Sequence, residues 1–389
     1  MANVNQIYDL LNVVARESIG ETAITVQDTE SLVSLGNQVF STDTNKDNFY
    51  KVLPDVIGRV WVKYMEVTRK DRGIQRQPLE FGIILEKISV KTITPAKENK
   101  SWLDNPNIYE NLKDDTDIHV NMFSRIATYS IDKVIYDYQL FTAFLSPEKM
   151  AAFVELIFSD MRNGMTKTLN NTDKLCESTA IAQSLSSEKL THRNLLKEYN
   201  TLTNEGLTVS AARRSKDFIL FAVKTIKETM SRAKELNILY NVDGAERELT
   251  DEDLRIHVLS DFASDMMIYA QSDTYHKELV ELYGYEEVNN WQGLGLTANF
   301  SDVSKIAIKN GLVEMEQTGI ICHMFARDRI ATMIDKIRTK SQYLPTAERT
   351  LYSHKADIGY LVAPDEIGIV FYIAEDADDN ANYGEEVTG

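Results

Sequence analysis

The most regular alternation of apolar and polar positions begins at Ser146. Ser146 at a cap position, Pro147 at the first helical position and Glu148 in the first turn mark a helix start. Met150, Phe153, Val154, Ile157, Met161, Met165, Leu169, Leu175 and Cys176 then keep helical spacing for about thirty residues. At ~1.5 Å rise per residue this predicts a rod of roughly 45 Å. Gly164 and Asn170-Asn171 are expected to weaken or bend it.

The first forty residues read as two short amphipathic helices. Ile7, Leu10, Leu11 and Val14 share one face of the first, and Asp28 caps a second that carries Leu32, Val33, Leu35 and Val39. Neither is long enough for a core of its own, so an arm lying across another surface is expected. From Gly58 the period changes to that of strands. Val60, Val62, Tyr64 and Val67 form one run, and Phe81 to Val90, continuing to Ile93, forms another. The polar, basic stretch between them holds Arg69, Lys70, Arg72 and Arg76, which predicts a long two-stranded projection with a basic tip. An isolated hairpin is marginal in water, so a neighbouring subunit is expected beneath it.

Residues 99–118 are polar and turn-rich. Val120 to Leu145 is aromatic and β-prone, with Phe123, Tyr129, Val134, Tyr136, Tyr138, Phe141 and Phe144. Beyond the long helix, two more helices are expected, from about Thr191 to Leu202 and from Ser210 to Leu236, and a short one near His276 to Leu282. Leu254–Leu259, Ile306–Ile308 and Gly319–Phe325 read as strands, Arg327–Ile337 as helical and Gly359–Ile373 as a closing hairpin. The mixture predicts an α+β fold with strands gathered into hairpins.

Composition narrows the function. The chain has 389 residues, 43% of them hydrophobic and 26% charged, enough for a substantial core. Two cysteines give no disulfide framework, no run approaches the ~18 apolar residues that span a bilayer, and the N-terminus lacks a secretory pattern. A soluble protein of a reducing compartment is expected. The net charge of −17 argues against a dedicated nucleic-acid reader. Glu375, Asp376, Asp378, Asp379, Glu385 and Glu386 concentrate acid in the last fifteen residues, which read as a solvated, fraying tail.

Candidate chemistry is sparse. Gly293, Gly295 and Ala298 match a loose dinucleotide pattern, but Glu286–Gln292 stands where a buried strand must precede it. Cys322 and His323 are adjacent on a strand and point to opposite faces, which argues against a dyad and favours a buried thiol. The six histidines, His119, His192, His257, His276, His323 and His354, are scattered singly without metal-ligand spacing. Asp251–Asp253 and Asp376–Asp379 read as solvated charge because the turn glycine and distal Glu of an EF-hand are missing. No catalytic, cofactor or metal residue is assigned, and no cofactor is expected.

The order of parts resembles the Hong Kong 97-type shell protein of tailed bacteriophages: arm, two-strand projection, aromatic β segment, long helix, α/β lobe, closing β-hairpin. Stretches that also resemble major capsid proteins of gut phages are Asp28–Gly36, Phe81–Ser89, Leu145–Glu148, Tyr285–Gly293, Gly319–Asp328 and Gly368–Phe371. The resemblance implies an N-terminal arm at 1–57 and an extended loop with its connector at 58–107. It implies a peripheral domain at 108–189 and 326–374 with its spine helix at 146–182, an axial domain at 190–325 and an acidic tail at 375–389. It further implies a non-enzymatic subunit that self-assembles through pentamers and hexamers into an icosahedral head around double-stranded DNA, built in the host bacterial cytoplasm. Scaffolding, portal and decoration proteins are the implied partners, with no membrane and only weak DNA contact. Arg69, Lys70, Arg72, Arg76, Ile83, Leu85 and Trp102 are the inter-subunit contact candidates. An encapsulin-like compartment shell and a soluble enzyme with a dispersed active site remain the alternatives.

Overall fold

A computed structural model describes residues 4–52, 73–75, 85–93, 118–123, 126–270, 284–292, 302–309 and 314–382. Helices α1 (Val4–Ile19) and α2 (Thr29–Phe40) form where the periodicity places them, and residues 43–52 (α3) are also helical. Asp28 closes a capping box on α2, its carboxylate accepting from the Ser31 N–H at 2.8 Å. The three helices lie on the chain's own body. Leu11, Val14, Leu32, Leu35, Val39, Phe49 and Tyr50 share a buried cluster with Leu140, Phe144, Met150 and Tyr352.

Strands β1 (Leu85–Val90) and β2 (Ile118–Phe123) pair antiparallel, Leu85 opposite Phe123. The described end of the expected projection therefore pairs with residues after the connector. Its other run, Val60–Val67, lies outside the described residues. Strand β3 (Ile126–Tyr136) follows, and the aromatic segment then turns into helix α4 (Asp137–Ala143) instead of staying extended. Leu140, Ala143 and Phe144 explain the change: they recur at helical spacing and fill the cluster beneath α2.

The long helix α5 runs from Pro147 to Leu185, 39 residues or about 58 Å. Ser146 caps it, and the expected breakers Gly164, Asn170 and Asn171 lie within its continuous span. It passes four clusters in turn: Met150 with the N-terminal helices, Met165 and Leu169 on one sheet, Cys176 and Ala180 at a junction, then Ile181, Ala182 and Leu185 on a second sheet. Leu175, expected on the inner face, is exposed.

The first sheet orders β10 (Ile330–Leu344), β11 (Arg349–Val362) and β3, all antiparallel. The expected helix at Arg327–Ile337 is thus a single 3-10 turn at Arg327–Arg329 followed by the start of a strand. A β-bulge between Ile334 and Lys336 shifts the alternation, so Ile334 and Ile337, three apart, pack into one cluster under α5.

The second sheet orders β4 (His192–Asn194), β12 (Gly368–Tyr372), β9 (Ile320–Ala326), β5 (Leu254–Leu259) and β6 (Tyr285–Val288). It is mixed, with β4 parallel to β12 and β6 parallel to β5. Both faces are covered. Ile369, Phe371, Cys322 and Met324 face α6 (Leu195–Thr203) and α8 (Lys216–Ala233), while Val370, Tyr372 and Ile320 share a cluster with α5. Where one helix was expected over Ser210–Leu236, α7 (Val209–Ala212) ends at Arg213 and Ser215 caps α8. The expected helix from Thr191 starts only at Leu195, since His192–Asn194 is strand before α6 begins. After β5 the chain forms α9 (Ser260–Asp265) and a π turn at Met266–Ala270; the helix expected near His276 lies outside the described residues.

The closing hairpin is corrected as well. β11 and β12 belong to different sheets, and residues 363–367 carry the chain between them. Gly319 permits β9 to start under the end of β12: its φ is +75°, and a Cβ there would stand 2.0 Å from the Ile373 carbonyl oxygen. Strands β7 (Ile306–Lys309) and β8 (Glu314–Gln317) form a small antiparallel pair beside α5.

Candidate assembly site

A polar centre lies under the second half of α5, where the helix crosses the mixed sheet. Glu177 on α5, His257 on β5 and His323 on β9 are all fully or almost fully buried. His257 and His323 are cross-strand partners in the β5–β9 register, so both rings leave the same face of the sheet. The His257 Nδ1 donates to the Glu177 carboxylate, and the His323 Nδ1 lies 3.8 Å from it. Phe325 closes the centre: the His323 ring stacks on it at 4.6 Å, and His257 meets it edge-on at 5.0 Å. Cys322 points to the opposite face, into the α6–α8 cluster, as strand alternation requires.

Electrostatics follow from burial and pairing. Burial, the largest single influence, raises the Glu177 carboxyl, but the charge and hydrogen bond of His257, helped by the nearby His323 ring, outweigh it and hold the group well below the usual carboxylate range. Burial brings His323 down to about 4 and so favours its neutral ring. Burial alone raises the Cys322 thiol far above its ordinary value, which leaves it unreactive. Among the described residues no group of His, Cys, Asp and Glu side chains is arranged to hold a metal ion.

A second buried polar group joins α5 to the loop between the sheets. Arg329 is fully buried, and burial lowers it to about 10. Its Nη1 donates to the carbonyls of Ala363 at 3.1 Å and Glu366 at 2.9 Å, and its Nη2 to the Ser184 hydroxyl at 3.0 Å. Gly368 makes room, since a Cβ there would fall 2.3 Å from the Arg329 Nε. Nearby, the Thr332 hydroxyl donates to Asp173 of α5 at 2.7 Å, tying β10 to the helix.

The N-terminal helices are held by a third group. Asp137 accepts from the Tyr50 hydroxyl at 2.9 Å, the Tyr343 hydroxyl at 2.8 Å and the Lys46 ammonium at 3.2 Å. Asp137→Ala is expected to cost about 2–3 kcal/mol, because three donors lose one charged acceptor. Urea denaturation of the unassembled subunit reads that loss.

Of the sequence-derived contact candidates, Arg69, Lys70, Arg72, Arg76, Ile83 and Trp102 lie outside the described residues. Leu85 begins β1, whose far end is fastened to the body: Arg247 donates to the Val90 carbonyl at 2.8 Å and to Asp365 at 3.0 Å. The acidic tail is docked over 375–382. Asp379 accepts from Tyr372 at 2.8 Å and Asn194 at 3.1 Å, and the Asn382 N–H donates to the Leu185 carbonyl at 2.8 Å. Glu177, His257 and His323 escaped the sequence reading because they stand on three elements far apart in the chain. Only the β5–β9 register brings them together.

These polar groups fasten elements to each other, and the long helix binds two sheets and the N-terminal helices into one body. That is the build of a structural subunit. Residues 11–372 match the family model described as Phi29-like phage major capsid protein, and the chain belongs to that family. No curated protein sequence matches the chain. Among solved structures it is similar to the capsid structure of Staphylococcus phage Andhra, at TM-score 0.51 and 8% identity over 77% of this chain and 83% of that one. It is equally similar to a chain in the structure of head fiber and inner core protein gp22 of native bacteriophage P68, at TM-score 0.51, 9% identity and the same coverage. The fold is thus the α+β fold of tailed-phage capsids, in keeping with the Hong Kong 97 type, and the protein is a major capsid component of the virion. Among the described residues no helix is long and apolar enough to cross a membrane.

Proposed function

We propose that this chain is the repeating, non-enzymatic subunit of a closed icosahedral head that encloses double-stranded DNA and assembles in the host bacterial cytoplasm. The observation that carries the reading is the family match over residues 11–372. The architecture supports it: α5 joins the N-terminal helices and both sheets, which gives a subunit rigid enough to be repeated many times. On this reading 1–57 is the arm and 58–107 the extended loop with its connector, which reaches over a neighbour with Arg69, Lys70, Arg72, Arg76, Ile83, Leu85 and Trp102 as contacts. The peripheral domain is 108–189 with 326–374, the axial domain 190–325 and the tail 375–389. Pentamers and hexamers are the assembly units, and scaffolding, portal and decoration proteins the partners. Each specific contact needs only ~1,600 Å² of buried surface, because repetition multiplies modest affinities.

The net charge of −17 suits a container that surrounds DNA without gripping it. Counterions screen repulsion beyond ~8 Å at physiological salt, so a weakly repulsive lining lets the duplex slide. Sedimentation of the purified chain, alone and with the products of neighbouring genes, tests the shell reading. Closed particles in the megadalton range are expected, and a chain that stays monomeric or dimeric in every combination contradicts it.

A further inference from the structure

Helix α4 is apolar on both sides. Leu140, Ala143 and Phe144 turn inward and are buried, while Tyr138, Phe141 and Leu145 recur at i, i+3 and i+7 on the outside, with Tyr138 67% and Phe141 51% exposed. A helix that is apolar all round is ordinarily covered all round. The exposed positions from Tyr138 to Leu145 are Tyr138, Gln139, Phe141, Thr142 and Leu145, and none carries charge. Asp137 turns its carboxylate onto Lys46, Tyr50 and Tyr343. The strip extends onto the end of β3 through the exposed Val134 and Tyr136, and Tyr136 stacks on Tyr138 at 5.7 Å. Phe40 braces Phe141 edge-on at 5.6 Å, so the outer rings are held in place before any partner arrives.

We propose that this strip, Val134 to Leu145, is a contact between copies of the chain in the assembled shell. The occupant follows from charge. Two copies that each carry −17 repel wherever acidic surface meets acidic surface, and they approach most easily where a face is apolar and uncharged. Rigid, clustered aromatics are also the residue type on which interface energy concentrates. The nearest exposed carboxylates, Asp132 and Glu148, lie beyond the two ends of the strip, so a basic partner would find charge only at its margins. The proposal rests on the shell reading above and adds which surface is used.

The chain's two cysteines, Cys176 and Cys322, are both buried, so Tyr138→Cys places an accessible thiol on the strip. Maleimide should label it readily in the unassembled subunit and at least tenfold more slowly in the particle; equal rates in both overturn the proposal. The double variant Tyr138→Ser with Phe141→Ser removes two rings that are half or more exposed. Its unassembled subunit should still fold, with a melting point lowered by the lost Phe40 and Tyr136 ring contacts, while its particle yield at a temperature well below that melting point falls tenfold or more. An unchanged yield again overturns the contact. If the unsubstituted chain forms no particles, the shell reading itself fails, and that result appears before any substitution is made.

Discussion

Arg329→Met is expected to remove about 3–5 kcal/mol of subunit stability, enough to cost most soluble protein. The guanidinium is fully buried and donates to the carbonyls of Ala363, Pro364 and Glu366 and to the Ser184 hydroxyl. A methionine of similar length fills the volume but leaves those acceptors in a dry interior, where each unmade bond costs about 1–3 kcal/mol. Relief from burying a cation offsets part of the sum. The same change loosens the 363–367 crossing between the two sheets, so near-ultraviolet circular dichroism should show altered packing around Tyr372 and around the buried Tyr240, whose carbonyl accepts from the Gly368 N–H at 2.9 Å. Thermal unfolding of the unassembled subunit measures the loss. A shift in midpoint of only a degree or two would mean that the loop is held without the arginine.

The second large effect centres on Glu177. Glu177→Gln keeps the shape but removes the charge that answers His257, and about 3–5 kcal/mol is the expected cost of breaking such a buried pair. Acid should reproduce part of this in the unsubstituted chain. Burial holds His323 and His354 at about 4, against 6.5 for an exposed ring. Both therefore take up protons on unfolding, and stability is lost as the pH falls from 6.5 towards 4. His323 alone contributes about 3 kcal/mol to that loss. Glu177 acts lower down: its depressed carboxyl stabilises the fold above 4.5, and its contribution disappears only as the pH drops further. Chemical denaturation across pH 4–8 should show a steady decline below 6.5, and His323→Gln should flatten that decline. An unflattened profile in the variant would place the acid sensitivity elsewhere.

Much of this fold was legible wherever one local signal dominated. The Ser146-Pro147 start of α5, the Asp28 cap of α2 and the apolar runs of β5 and β9 all stand as the residues suggest. The failures share a cause, a local pattern overruled by distant packing. Ile330, Met333, Ile334 and Ile337 have helical spacing, yet a bulge in β10 lets Ile334 and Ile337 fill one cluster from a strand. Tyr138 and Phe141 favour strand by type, yet the inner face of α4 and the Asp137 contacts with Lys46, Tyr50 and Tyr343 hold the segment as helix. A short polar loop, Pro364-Asp365-Glu366, reads as a hairpin turn but carries the chain from one sheet to the other around Arg329. The polar centre could not be read in advance, because 80 residues separate Glu177 from His257 and 66 separate His257 from His323.

The most direct measurement is a three-dimensional reconstruction, by electron cryo-microscopy, of particles formed by the purified chain with its neighbouring gene products. A closed icosahedral shell is expected, with α5 running between the two sheets of each subunit, residues 58–98 over an adjacent copy and the Tyr138–Phe141 face covered by a neighbour. A chain that never closes into particles, or particles in which other proteins form the wall, would contradict the account.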